Sequence, residues 1–253
     1  MTYDIQKASV TKRISAFLFD SILTGVLVVA VVWLLSAVLN YDSYSENLEK
    51  AYDTYAMQYG INFEISQEEY EALTEEKRAD YEAAYAALSA DTEAAKNLNM
   101  VFNLTLVMIT GGFLAGILLI EFVVPLILGN GQTLGKKIFG IALVRQDGVK
   151  LNTMQLFART LLGKFTIETM LPVYMLVMAF FNIMGVDGLL IIAGIWVAQL
   201  ILLFVTRNKT LLHDLLAGTV VVDMASQRIF KTTDDLIAYQ KRVAAEKATR
   251  QPY

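Results

Sequence analysis

Five side chains raise the first question: Asp20, Glu121, Lys164, Glu168 and Gln199. Each stands inside a long apolar stretch. An ionisable group is costly in hydrocarbon, so one that stays there by default marks function. Asp20, Glu121, Lys164 and Gln199 fall at similar depth from one end of their stretches, and Glu168 lies a turn deeper. The spacing predicts one polar layer. Three carboxylates face one lysine in it, and Arg13 offsets part of the excess. Buried carboxylates short of partners hold their protons tightly, which suits a proton or small-cation site. A second reading is equally physical. Arg13–Asp20 and Lys164–Glu168 would be pairs within one helix that fix register, with basic ends snorkelling to the interface. Both readings stand on the sequence. Pro125 and Pro172 lie near the layer and are expected to kink their helices.

A second stretch, GNGQTLGKKIFG at 129–140, looks at a glance like a phosphate-binding loop. The loop needs two glycines five apart and then Lys-Ser or Lys-Thr. Asn130 stands where the first glycine should be, and Lys137 follows Lys136, so no hydroxyl is placed for Mg²⁺. Enzyme readings are otherwise weak. There is no cysteine, so disulfides and thiolate metal sites are excluded. The single histidine, His213, leaves no histidine metal cluster and no nucleophile–histidine–acid set. His213 and Asp214 are sequence neighbours, whose side chains point apart on a helix. No cofactor, no enzyme activity and no nucleic-acid partner is expected.

The elements that position these residues follow from hydropathy. The chain is 55% hydrophobic. A spanning helix needs about 20 apolar residues, and four stretches meet or approach that: 14–39, 100–128, 161–184 and 189–206. The first is too long for a cleaved signal peptide and lacks a small-residue cleavage site. Charge sets the orientation. Residues 40–99 carry fourteen acids and four bases, a net −10 against a global −4, so the remainder is +6. Basic residues cluster at Lys7, Lys12 and Arg13, across 129–160, and from Arg207 onward. The expectation is a multi-pass protein of the cell membrane with both termini cytoplasmic and the acidic 40–99 segment outside. The fold class expected is all-α and polytopic, with four transmembrane helices, an extracellular helical hairpin and a small cytoplasmic β element.

The outside segment reads as two helices. Leu48, Ala51, Tyr52, Tyr55 and Tyr59 form one stripe, with Gly60 as its stop. Tyr70, Leu73, Tyr81, Tyr85 and Leu88 form another, after a Ser66/Glu69 capping box. The stripes either pack on each other or offer a docking surface to an extracellular protein. On the other side, 129–160 reads as an amphipathic turn and an Asp147-Gly148 hairpin, 207–224 as a similar turn and strand, and 225–253 as a tail. The tail's Leu236, Ile237, Tyr239, Val243 and Ala244 give an apolar side, and Lys241, Arg242, Lys247 and Arg250 would meet anionic lipid.

The chain also nearly repeats itself. TLGKKIFGIALV from Thr133 and TLLHDLLAGTVVV from Thr210 each run from Thr-Leu through a charged turn and a glycine into a β-branched run. Each would close one half of a parallel repeat about an axis along the membrane normal. Strand 219–223 would then pair with 141–145, and Lys136 or Lys137 would face Asp214. Four helices leave a narrow path, so transport would favour a homo-oligomer.

KRISAFLFD, NGQTLGKKIFGIALV and LLHDLLAGTVVV, in that order, resemble the RDD family of bacterial membrane proteins. The resemblance covers roughly 8–35 and 100–224. It implies that the family's arginine is Arg13, its first aspartate Asp20 and its second Asp214. Gly131, Gln132, Thr133, Gly135, Lys136, Lys137, Gly140, His213 and Gly218 would belong to its cytoplasmic motifs. Some relatives are linked to sodium/proton exchange, so the resemblance implies a role in small-cation or proton transport. The acidic insert 40–99 departs from the short loop expected of the family. A non-transporting scaffold that recruits a partner through this insert is the rival.

Overall fold

The computed structural model describes residues 5–181, 183–206 and 208–250. Arg207, expected at one end of the fourth span, lies outside them, and so does the side chain of Arg250. The fold is mostly helical. Four helices are long and apolar enough to cross a membrane: Val10–Val38, Thr92–Leu128, Thr153–Phe180 and Gly188–Val205. They are called spans 1 to 4 below. Their apolar side chains are largely exposed, as Phe17, Ile22, Trp33, Ile127, Trp196 and Phe204 illustrate. In a bilayer that surface is solvated by lipid, so exposure is expected.

Spans 1 and 2 begin earlier than hydropathy predicts. Span 2 starts at Thr92 because Asp91 caps it, accepting from the N–H of Glu93 at 2.8 Å and of Ala94 at 3.2 Å. Span 3 runs Thr153–Phe180 rather than 161–184. Asn152 caps it and forms a reciprocal capping box with Gln155. Spans 2 and 3 are not α-helical throughout. Leu119–Val123 and Ala158–Met170 are π-helical. Each π segment is closely followed by a proline, Pro125 or Pro172. A proline has no N–H for the carbonyl four residues back, which here belongs to Glu121 or Glu168. The freed Glu121 carbonyl accepts the Thr160 hydroxyl at 3.0 Å. In span 3 the Thr166 and Thr169 hydroxyls donate to carbonyls five residues back.

The chain forms two compact units, Met1–Val29 with Gly112–Tyr253, and Ala30–Gly111. The first is built around a two-stranded sheet. β1 (Ile141–Arg145) pairs antiparallel with β2 (Thr219–Asp223), centred on Leu143 opposite Val221. The pairing between the two near-repeats is as expected. The Asp147-Gly148 hairpin is reduced: the turn forms, with Gly148 N–H on the Arg145 carbonyl at 3.0 Å, but the return limb makes one bridge, Lys150 to Val144. The Val149 carbonyl accepts from Arg145 N–H at 2.9 Å, and Val149 also bridges to Phe230. The N-terminal segment lies along the far edge of β2, Ala8 N–H donating to Val221 at 3.1 Å. The strand cores, Ile141, Leu143, Val144, Val220 and Val222, are fully buried.

The tail helix, Thr233–Arg250, is placed differently from the expectation. Its Leu236 is buried with Val149 and Phe230, and Tyr239 packs on the same cluster. Arg228 and Arg242 stack on the Tyr239 ring at 4.8 and 5.7 Å. Protein, not lipid, covers that part of the apolar side.

In the second unit, helix Tyr41–Tyr59 ends at left-handed Gly60, whose N–H returns to the Ala56 carbonyl. The Ser66–Glu69 capping box forms in both directions, at 3.2 and 2.8 Å. The second stripe is broken, however, into Gln67–Glu71 and Glu75–Ala90. Thr74 recaps the chain there by accepting from Lys77 N–H. Leu73 therefore sits in the break, and Tyr85 is 57% exposed rather than packed. The pairing is aromatic: Tyr52–Phe63, Phe63–Tyr81 and Tyr70–Tyr81 meet edge to face at 5.1 to 5.7 Å.

Candidate functional site

The glycine-rich stretch 129–140 is a scaffold for the site. Gly131 takes a left-handed φ of 60° where its absent side chain would meet Leu143. Gln132 donates to the Ile141 carbonyl at 2.8 Å. Thr133 then caps the short helix Leu134–Ile138 by accepting from Lys136 N–H. Gly140, at φ 64°, turns the chain into β1. The second half has the same order: a short helix Leu212–Ala217, Gly218 at φ 63°, then β2.

Asp20 does not pair with Arg13. Its carboxylate accepts from the Thr133 hydroxyl and from Gly135 N–H at 2.8 Å. It therefore closes the N-terminus of Leu134–Ile138, where orphan N–H groups favour an anion. The approach requires glycine, because a Cβ on Gly135 would lie 2.5 Å from the Ala16 carbonyl oxygen. Arg13 turns the other way, to the Lys209 carbonyl and, at 3.4 Å, to Asp214.

Asp214 is the shared acceptor. Arg159 meets its Oδ1 at 3.0 Å while Arg13 meets its Oδ2, and the Thr219 hydroxyl donates to Oδ1 at 2.9 Å. Burial pushes the Asp214 carboxyl up, but His213, Arg159 and Arg13 beside it outweigh that and hold it well below the usual range. Neither Lys136 nor Lys137 faces it. Lys136 instead reaches Glu121 at 3.1 Å, because its short helix ends beside span 2. Glu121 is also met by Arg159 at 3.4 Å and closely by Lys164. Lys164 thus bridges to span 2 rather than to Glu168 one turn on. Burial pushes the Lys136 ammonium down to about 8, against the opposing pull of Glu121; the Lys164 and Arg159 charges act in the same direction as burial.

Glu168 has a separate partner. Its carboxylate accepts from His213 N–H at 3.0 Å, and both oxygens lie within 2.9 Å of His213 Nδ1. Gln199 binds Glu168 and accepts from Leu212 N–H at 3.2 Å. His213 Nε2 is 3.6 Å from Asp214. Gly163 lets this helix lie on span 3, since a Cβ there would come within 2.5 Å of His213 Cβ. Burial and the Arg159 charge pull the imidazolium below its ordinary value, opposed by Asp214 and Glu168.

The five layer residues thus fall into three carboxylate-centred groups: Asp20 alone, Glu121 with Lys164, and Glu168 with Gln199. The negative excess disappears. Asp20, Glu121, Glu168 and Asp214 are matched by Arg13, Lys136, Arg159 and Lys164. Arg159, Lys136 and His213 were the members missed as partners, because they stand at a span end or in a turn. Glu-x-x-x-Pro occurs in both span 2 and span 3, at Glu121/Pro125 and Glu168/Pro172, but it marks the carboxylates and not these partners. Among the described residues, no group of His, Asp and Glu is arranged to hold a metal ion.

Four membrane-length helices bound to a buried charge network define an integral membrane protein. The model of the RDD family matches residues 7–218, most of the chain, and the protein belongs to that family. No match was found among curated proteins or among solved structures.

Proposed function

We propose that the protein exchanges a small cation for a proton, with Glu121 as the cation-binding carboxylate and Lys136 as the group that competes for it. The observation that carries this reading is the placement of Glu121, Arg159, Lys164 and Glu168 on π-helical segments. Such segments give up good hydrogen-bond geometry and recur at functional sites. Lys136 stands 3.1 Å from Glu121 on a short helix outside the spans. Loss of its proton takes one of three positive charges off Glu121 and leaves Oε2 with the longer Arg159 contact at 3.4 Å, so a cation can compete there; return of the proton expels the cation.

The test is ion-driven proton flux in proteoliposomes with a trapped pH dye and sodium or potassium gradients. Wild type is expected to carry flux, and Glu121→Gln and Lys136→Arg to lose it while remaining folded by gel filtration. Arginine keeps the charge but does not release its proton. Flux no higher than in empty liposomes, with either cation, overturns the reading. A second reading then gains ground: the Ala30–Gly111 unit recruits a protein. Its support is the open cleft lined by Tyr70, Tyr81, Glu82 and Tyr85 on a segment of net −10.

We also place both termini on the cytoplasmic side of a bacterial cell membrane and the acidic insert outside, from the charge asymmetry. The chain has no cysteine, so single cysteines report cleanly. An impermeant maleimide on intact cells should label Ser66→Cys and spare Ser226→Cys. The reverse pattern inverts the topology.

A further inference from the structure

The two short helices carry their side chains the wrong way round for helices in water. In Leu134–Ile138 the buried residues are Gly135 and Lys136, and the exposed ones are Leu134, Lys137 and Ile138. In Leu212–Ala217 the residues His213, Asp214 and Ala217 are buried, while Leu215 and Leu216 are exposed. Ile138 is 62% exposed and Leu216 54%, against 7% for Lys136 and 0% for Asp214. A surface helix in water turns its apolar stripe to the core and its charges outward. The tail helix Thr233–Arg250 obeys that rule, burying Leu236 and exposing Asp234, Asp235 and Lys241. The reversal thus belongs to the two short helices and not to every helix outside the spans.

Their anchors show what lies on the outer side. Leu134–Ile138 is held by Asp20 of span 1 through Gly135 and by Glu121 of span 2 through Lys136. Leu212–Ala217 is held by Glu168 of span 3 through His213 and by Gln199 of span 4 through Leu212. Asp20 stands ten residues in from the start of its span, and Glu121 and Gln199 stand seven and six residues from the ends of theirs. At the helical rise these are depths of roughly 9–15 Å along the spans. Near those levels the spans turn Ile22, Leu126, Leu162 and Leu200 outward, and the leucines of the short helices continue that apolar face. The chain returns to these levels by sharp turns. Gly129, Asn130 and Gly131 all have positive φ after span 2, and Lys209 does after span 4.

We propose that both short helices re-enter the membrane and that Leu134, Ile138, Leu215 and Leu216 face the acyl chains of one leaflet. Hydrocarbon cannot satisfy the orphan N–H groups of a helix start, so protein must. It does so in both helices. Asp20 accepts from Gly135 N–H and Thr133 from Lys136 N–H. Gln199 accepts from Leu212 N–H and Glu168 from His213 N–H. Lys137 shares the outward face of its helix, and its long stem lets the ammonium reach the phosphates while the methylenes stay beside Leu134 and Ile138. Acyl chains fit this surface better than a second copy does, because it is continuous with the lipid-facing sides of the spans. The outward leucines and isoleucine then form the wall that separates the Lys136–Glu121 and Arg159–Asp214 pairs from lipid.

The proposal does not rest on the transport reading, and its test measures no flux. The chain has no cysteine, so Ile138→Cys, Leu216→Cys, Ile22→Cys and Ser226→Cys can each carry one nitroxide in proteoliposomes. Collision with oxygen, which concentrates in hydrocarbon, is compared with collision with a water-soluble nickel chelate. Oxygen should dominate at positions 138 and 216, as at the span position 22, and the order should reverse at 226. The expected depth is about 5–10 Å below the headgroup boundary. Nickel dominating at 138 and 216 puts both faces in water and overturns the proposal. Little collision with either reagent at those positions means that protein covers the faces, and this overturns it too. The wild type supplies a second measurement that needs no variant to fold. A photoactivatable diazirine in the acyl chains of a nanodisc should mark Leu134–Ile138 and Leu212–Ala217 and leave 224–231 unmarked. Marks confined to the spans overturn the proposal.

Discussion

The two units of this chain use charge in opposite ways. In Ala30–Gly111 the ion pairs Lys50–Glu46 and Lys96–Glu93 lie 3.6 to 3.7 Å apart with most of each side chain in solvent. Such pairs are worth about 0–1 kcal/mol. Rings and caps hold that unit together. In the other unit Asp214 and Arg159 are 1% and 2% exposed at the side chain, and the ion pairs are the interior. Burying such charges costs several kcal/mol per ion, and only close pairing with full hydrogen bonding offsets it. Among the described residues, no buried side-chain polar atom of the network lacks a partner; the one such atom found is Arg78 Nε, in the other unit. Surface charge there supports solubility. Buried charge here fixes which helix meets which.

The largest effect expected from this contrast is at Asp214. Asp214→Asn leaves two buried arginines short of one negative charge. Breaking a buried pair from one side typically costs about 3–5 kcal/mol. Arg159 keeps Glu121 and Arg13 keeps the Lys209 carbonyl, so the expected loss is near the lower end, about 3 kcal/mol. Denaturant unfolding in detergent measures it. A loss below about 1 kcal/mol, the range of surface pairs, would erase the distinction between the two units.

Much of this division was legible in the sequence, and the part that was not has a definite cause. Hydropathy located four spans because lipid demands long apolar helices. The Ser66/Glu69 box and the Gly60 stop were readable because caps are local. The partners of the buried charges were not. Spacing within one helix suggested Lys164 with Glu168 and Arg13 with Asp20. Local pairs of that kind are worth only about 0.2–0.5 kcal/mol, and tertiary burial overrides them. The real partners stand 43 residues away for Lys164, 45 for Glu168 and 201 for Arg13. The near-repeat did point to β1 with β2, because it compared distant segments with each other. It placed Lys136 wrongly because it gave no account of span 2, where Glu121 waits.

The smallest effect lies in the other unit and tests the other half of the contrast. Ser66 accepts from Glu69 N–H, and Glu69 returns the bond to Ser66 N–H. Hydrogen bonding from the Ser66 backbone and hydroxyl holds the Glu69 carboxyl below its usual value. Ser66→Ala removes one arm of the box and leaves the Glu69 arm in place. Cap losses of this kind are typically about 1 kcal/mol, so the same unfolding measurement should register a change of that size or less. The cap joins residues of one segment. Hydrogen exchange should therefore rise at Glu69 and Tyr70, with the amides of Leu134–Ile138 and Leu212–Ala217 unmoved. A response in those two helices would mean that the acidic unit and the charge network are coupled, and that the contrast between them is one of chemistry alone and not of mechanical independence.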